Sequence, residues 1–88
     1  MKTKDGYILR NIADENMLIP VGERVVEFSG MISLNEITAK IWEYLQVDRT
    51  FDELLVYITS TYNIDEETAR NDLEKLITQM QSSGIIEV

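Results

Sequence analysis

The side chains that could do chemistry in this sequence are carboxylates and hydroxyls, because the chain contains no histidine and no cysteine. The absence of histidine removes the usual general base and the commonest transition-metal ligand. The absence of cysteine removes disulfides, thiolate nucleophiles and thiolate-bound metals. No glycine-rich phosphate loop or nucleophile-elbow pattern occurs either. We therefore expect a protein that is not an enzyme and that needs no metal or cofactor.

The densest group of carboxylates is formed by Asp65, Glu66 and Glu67. Adjacent side chains point in different directions around a helix, whereas a calcium loop needs spaced ligands and a central glycine. At a helix start, by contrast, Asp65 would cap free amide groups and the glutamates would suit the helix dipole. The pattern favours a helix start over a metal site. Trp42 lies on an apolar helix, which favours packing in or beside the core.

Length, composition and charge exclude several classes of protein. The 88 residues, 44% hydrophobic and 27% charged, suit one globular domain spanning 1–88. Sixteen acidic against eight basic residues leave a net charge of −8, which argues against binding to nucleic acid or to an anionic membrane surface. No apolar run approaches the length of a membrane span, and no secretory signal follows Met1. We expect a soluble, cytoplasmic protein.

In the first third of the chain, about residues 7–34, polar and turn-forming residues separate short apolar runs, a pattern typical of strands. Pro20, the single proline, suits a strand end because it cannot donate to a sheet ladder. Ser29 and Gly30 separate two apolar runs and predict a tight hairpin turn. The predicted strands are residues 7–12, 17–21, 24–28 and 31–34, with the polar residues 13–16 connecting the first two.

The remainder predicts three helices, over about residues 35–46, 50–62 and 65–83, followed by a terminal strand at 85–88. Ser33 with Glu36 fits a capping box for the first helix, with Asn35 as the alternative cap. Thr50 with Glu53 fits the same motif at the second helix. Gly84 suits the end of the third helix.

The segment 25–34 is apolar on both faces of the predicted hairpin, whereas a sheet with one wet face alternates apolar and polar residues. One interpretation is that the small domain covers both faces. The other is that one face, or the strand edge beside it, receives a partner. Periodicity alone leaves both open.

Strands, three helices and a short terminal strand form a winged-helix-like order, and the residues resemble the PqqD family over about residues 7–88. The resemblance rests on the order and spacing of several short motifs together. They are the apolar strand 31–34, Leu34-Asn35, Ile41-Trp42 seven residues later, the second-helix start 49–54, Tyr62-Asn63-Ile64-Asp65, Asp72-Leu73, and Ser83-Gly84-Ile85-Ile86.

The resemblance implies an α+β, winged-helix-like fold, with a small N-terminal antiparallel sheet followed by three helices. It also implies a role. Members of this family, also called RiPP precursor peptide recognition elements, hold the leader of a ribosomally made peptide for a modifying enzyme, often a radical S-adenosylmethionine protein. The leader is taken to lie as an extra strand along the third strand, in a groove that the third helix closes.

Carried over by position, the peptide-binding residues lie on the third strand and on one flank of the third helix. They are Phe28, Met31, Ile32, Ser33 and Leu34, and Asp72, Lys75, Leu76, Gln79, Met80 and Ser83. The alternative function is a winged-helix regulator or a general interaction domain. The third helix, from Asp65 to Ser83, has five acidic and two basic residues, which argues against the DNA-binding version. A strand edge can also pair with a second copy, so a homodimer stays open.

Overall fold

The computed structural model describes residues 1–22 and 31–88. These residues confirm the predicted α+β class, in which an antiparallel sheet precedes three helices. In chain order the elements are β1 (Lys2–Thr3), β2 (Tyr7–Ile12), β3 (Glu15–Pro20), β4 (Ile32–Leu34), α1 (Glu36–Tyr44), α2 (Phe51–Thr61), α3 (Glu66–Ser82) and β5 (Ile86–Glu87). The predicted strand 24–28 and the Ser29-Gly30 turn lie outside the described residues.

The main sheet has the strand order β2-β3-β4, and both pairings are antiparallel. The connection from β2 to β3 is shorter than the predicted polar segment 13–16, because Ile12 pairs with Glu15 and only two residues form the turn. Ala13 and Asp14 both take positive φ, 52° and 67°. Two-residue turns of this mirror-image kind match the twist of paired strands, which is why they close hairpins.

One face of the sheet packs on the helices. Tyr7, Leu18 and Leu34 are buried there, and Ile32 packs against them. The register places Leu18 beside Ile32 and Asn16 beside Leu34, so alternate residues of β4 point to the core. Ser33 lies between them and is exposed. The strand β4 therefore presents an apolar face inwards and a polar residue outwards.

Each helix begins at a polar cap. For α1 the cap is Asn35, whose side-chain oxygen accepts a hydrogen bond from the N–H of Thr38 at 2.8 Å. The predicted Ser33–Glu36 capping box is wrong, because Ser33 belongs to β4 and pairs with Met17; the alternative cap, Asn35, is the one that forms. For α2 the predicted capping box is confirmed. Its two hydrogen bonds are reciprocal between Thr50 and Glu53, at 3.0 and 3.1 Å.

The third helix begins at Asp65, whose carboxylate accepts from the N–H of Thr68 at 2.9 Å and from its hydroxyl at 2.7 Å. The interpretation of the acidic cluster as a helix start is confirmed. The helix ends at Gly84, as predicted, with φ of 76°. The N–H of Gly84 bonds to the carbonyl of Gln81, and the N–H of Ile85 to that of Met80. This pair of bonds is a Schellman motif.

A second, two-stranded sheet joins the ends of the chain. The terminal strand predicted at 85–88 forms as β5, and it pairs antiparallel with β1. The sequence analysis placed no strand at β1, because two residues are too few for a periodic pattern to show. None of the helices in the described part of the chain is both long and apolar enough to cross a bilayer.

The core lies between the helices and the inner face of the main sheet. Its largest fully buried side chains are Leu18, Ile41, Leu45, Leu54 and Ile86. Burial of each such side chain contributes about 1.5–3 kcal/mol. Trp42 is also buried, as expected, and its indole N–H points to the carbonyl of Ile85 at 3.4 Å.

Candidate functional site

A groove of about 250 Å³ runs between β4 and the C-terminal half of α3. The two walls come from segments far apart in the sequence, and Asn35 and Thr38 at the start of α1 contribute one end. Seven of the predicted site residues line it. They are Ile32, Ser33 and Leu34 on the strand, Leu76, Gln79 and Met80 on the helix, and Ser83 at the helix end.

The floor of this groove is apolar and its rim is polar. Leu34, Met80 and Ile85 are buried at the bottom, while Ile32 and Leu76 are half-buried on the walls. Exposed Ser33, Gln79 and Ser83 form the rim. Concave apolar surfaces with a few polar groups at the edge are typical of binding sites.

One edge of β4 lies beside the groove, and no strand of residues 1–22 or 31–88 occupies it. Among the described residues, β4 pairs with β3 on one side and with no strand on the other. A strand in this position presents N–H and C=O groups that another extended chain can pair with. The groove thus combines a backbone edge with an apolar trough directly beside it.

The other four predicted residues are placed differently. Met31 precedes β4 and is 55% exposed. Lys75 is exposed on α3 and does not line the groove. Asp72 lies one helical turn before Leu76 on α3, where it lines a second and smaller cavity. Phe28 falls outside the described residues.

Sequence reasoning missed three residues of the groove, Asn35, Thr38 and Ile85. The sequence could have indicated Asn35 and Thr38, because a helix cap and the residue three positions after it lie together at the helix start. Ile85 also had one. In a Schellman motif the second residue after the cap packs against the last turn of the helix, here at Met80.

The second cavity, of about 80 Å³, lies where the three helices meet. Leu76 lines both this cavity and the groove, so the two are neighbours. Seven of its eight lining side chains are apolar, and exposed Asp72 is the exception. The apolar residues are Ile37, Ile41, Ile58, Ile64, Ala69, Leu73 and Leu76.

A larger cleft, of about 490 Å³, lies between the β2–β3 hairpin, the end of β4 and α1. Only Leu34 and Ala39 among its eleven lining residues are apolar. The other nine are polar, and four of them are carboxylates, namely Asp14, Glu15, Glu36 and Glu43. Because it buries so little apolar surface, this cleft is a weaker site than the groove despite its volume.

Two carboxylates with lowered pKa lie at helix starts outside the groove. The N–H of Thr68 bonds to the Asp65 carboxylate and lowers its pKa below the ordinary value. The N–H of Thr50 lowers the pKa of Glu53 in the same way. These groups stabilise helices, and neither lines the groove. In the part of the chain that the structure describes, no three acidic side chains converge as a metal site would require.

A model of a known protein family matches most of this chain. The family model for coenzyme PQQ synthesis protein D (PqqD) matches residues 13–86. A comparison with curated proteins gave no match.

Two solved structures have the same fold. TbiB1, solved in complex with the TbiA(beta) leader peptide, is 22% identical with a TM-score of 0.76, over 99% of this chain and 95% of its own. A lasso peptide synthetase B1, solved in complex with the leader peptide, is 18% identical with a TM-score of 0.72, over 96% of this chain and 93% of its own. With the family model covering most of its length, the chain belongs to the PqqD family.

Proposed function

We propose that this chain binds the leader of a ribosomally synthesised precursor peptide as an added strand along β4, and presents that peptide to a modifying enzyme. The observation that carries the proposal is the edge of β4 that no described strand occupies, lying against an apolar groove that α3 closes. Backbone hydrogen bonds to β4 supply affinity, and the groove selects side chains.

The comparisons support the same function. Both similar structures hold a leader peptide, and the chain spans nearly the whole length of each. The protein itself performs no chemistry in this proposal, because it has no histidine, no cysteine and no phosphate loop. The reaction belongs to the partner enzyme, for which a radical S-adenosylmethionine protein is our first candidate. We expect the complex to form in the cytoplasm, where the precursor is made.

The partner enzyme is tested separately from peptide binding. The chain's genomic neighbourhood is inspected for a short precursor peptide and a radical S-adenosylmethionine enzyme, and the purified pair is tested for association. A neighbouring modifying enzyme of another class that binds the chain would replace the radical enzyme in this proposal and leave the peptide site unchanged.

The peptide site is tested by selecting random 15-residue peptides on the immobilised chain and synthesising the most enriched one. Adding it to ¹⁵N-labelled protein is expected to shift the amides of Ile32–Leu34 and of Leu76–Ser83. The amides of Lys2–Thr3 and Phe51–Leu55 lie outside the groove and should stay in place. Failure to enrich any peptide, or shifts confined to those distant segments, would refute the proposed site.

A matched pair of variants adds a measure of affinity. Gln79→Trp fills the groove from its rim and is expected to weaken peptide binding by about tenfold or more, about 1.4 kcal/mol. Gln81→Trp makes the same change two residues along α3, at an exposed position outside both cavities, and should leave affinity within about threefold. Circular dichroism checks that both variants fold. Equal effects would show that the groove is not the binding surface.

The second copy of the chain is a competing occupant of the β4 edge. If two copies pair there, sedimentation velocity should show a dimer that the selected peptide dissociates. If the chain sediments as a monomer at all concentrations, a second copy does not occupy the β4 edge.

A further inference from the structure

No residue of a strand lines the small cavity beside the groove, but the cavity shares Leu76 with the groove. Its lining is apolar except for Asp72, which is exposed and marks where the cavity meets solvent. Ile37, at the mouth from the α1 side, is 39% exposed. Exposed apolar surface around a concave site is typical of a place where a side chain docks.

Continuity with the groove identifies the occupant. Leu76 lines both spaces, so the small cavity and the groove are adjacent across this one side chain. We propose that this cavity receives a second side chain of the bound peptide, and that it selects a small aliphatic one. This inference rests on the proposed function.

The volume sets the size of that side chain. A dry apolar cavity of about 150 Å³ in another protein is large enough to bind benzene. The cavity here holds about 80 Å³, roughly half of that, and so fits an aliphatic group such as valine or leucine. The groove, at about 250 Å³, accommodates an aromatic side chain. The two spaces therefore discriminate by size.

The spacing of the two peptide side chains follows from α3. Groove residues on α3 and its cap run from Leu76 to Ser83, and cavity residues on the helix run from Ala69 to Leu76. The centres of these two segments lie about seven residues apart, which is about 10 Å along a helix axis. An extended peptide advances about 3.3 Å per residue. The aliphatic side chain should thus lie about three residues from the one in the groove, within a range of two to four.

The test uses the peptide selected on the immobilised chain, with each apolar position changed in turn to Val, Leu and Phe. One position is expected to prefer Val or Leu over Phe by about tenfold, the ordinary discrimination of an apolar pocket. That position should lie two to four residues from the peptide position whose substitution changes the amide shifts of Ile32–Leu34. Absence of any size preference, while the amides of Ile32–Leu34 still shift, would overturn this inference and leave the proposed function standing.

A protein variant ties the preference to the cavity. Ile37→Ala widens the mouth at a partly exposed position, and should reduce the preference against Phe to less than about threefold. Val56→Ala removes a comparable side chain from an exposed position of α2 outside both cavities, and should leave the preference unchanged. If Val56→Ala relaxes the preference as much as Ile37→Ala, the cavity is not the selecting site. If no peptide shifts β4, both this inference and the proposed function fail.

Discussion

At the scale of single residues, two carboxylates stabilise the starts of helices. Asp65 and Glu53 each accept a backbone N–H in the first turn of a helix, and these hydrogen bonds lower their pKa. A lowered pKa in the folded state means that the charged form stabilises folding. That contribution is complete above the unfolded pKa of an aspartate, about 3.9, and is lost as the pH falls through the folded value.

We expect Asp65→Asn to separate the capping hydrogen bond from the charge. Asparagine caps helices about as well as aspartate but does not titrate. The variant should unfold at lower denaturant concentration than the wild type at pH 7, and the difference should shrink below about pH 4. Denaturant titrations at pH 7 and pH 3 measure it. The control Glu74→Gln removes a carboxylate from an exposed position in the middle of the same helix, and should show a smaller difference. A difference for Asp65→Asn that is independent of pH would contradict this account.

At the scale of elements, α3 contributes both to the stability of the fold and to the groove. Its buried side builds the core through Ala69, Leu73 and Ile77. The adjacent side forms the groove, and the Schellman motif at its end brings Ile85 under the groove floor. Because one helix does both, its exact end position matters for binding as well as for folding.

The residue that fixes this end is Gly84, with φ of 76°. A Cβ at this position would meet no atom within 4 Å, so the cost of Gly84→Ala is backbone strain alone. For a residue with a side chain the left-handed region costs roughly 1–2 kcal/mol, and the loss of unfolded-state freedom offsets about 0.4–1 kcal/mol of this.

We expect Gly84→Ala to lower the free energy of unfolding by about 1 kcal/mol, measured by denaturant titration. Ser82→Ala, in the last helical position, serves as the control and should change it by less than about 0.5 kcal/mol. An unchanged or raised value for Gly84→Ala would mean that the helix does not end through this conformation.

At the scale of the whole molecule, charge decides between partners that the fold alone would allow. A winged-helix-like order suits a DNA-binding protein, but the net charge is −8 and the third helix carries an excess of carboxylates. DNA affinity depends on basic residues that neutralise phosphates. A peptide that pairs through its backbone has no such requirement, which is why the same architecture can serve it.

We expect no saturable binding of a 20-base-pair duplex at about 150 mM salt up to about 100 µM protein, the weak end of ordinary non-specific affinities. Fluorescence anisotropy of a labelled duplex measures it, with the selected peptide as the positive control for active protein. Saturation at micromolar protein would revive the regulator as the function of this fold.

The sequence by itself determined the parts of this protein that depend on neighbouring residues. Thr50 with Glu53, Asp65 and Gly84 mark helix ends because each satisfies backbone groups within a few positions of itself. The order of elements and the acidic charge were equally visible. The family resemblance supplied the groove residues, seven of which the fold then brought together.

The tertiary structure decided what depends on contacts between distant segments. The pairing of β1 with β5, the Asn35 cap chosen over Ser33, and the contribution of Ile85 to the groove all follow from where the strands pack. The small cavity needs three helices at once, so no periodicity within one of them could reveal it. Local hydrogen bonds can be inferred from spacing, whereas a cavity is the space that several packed elements leave between them.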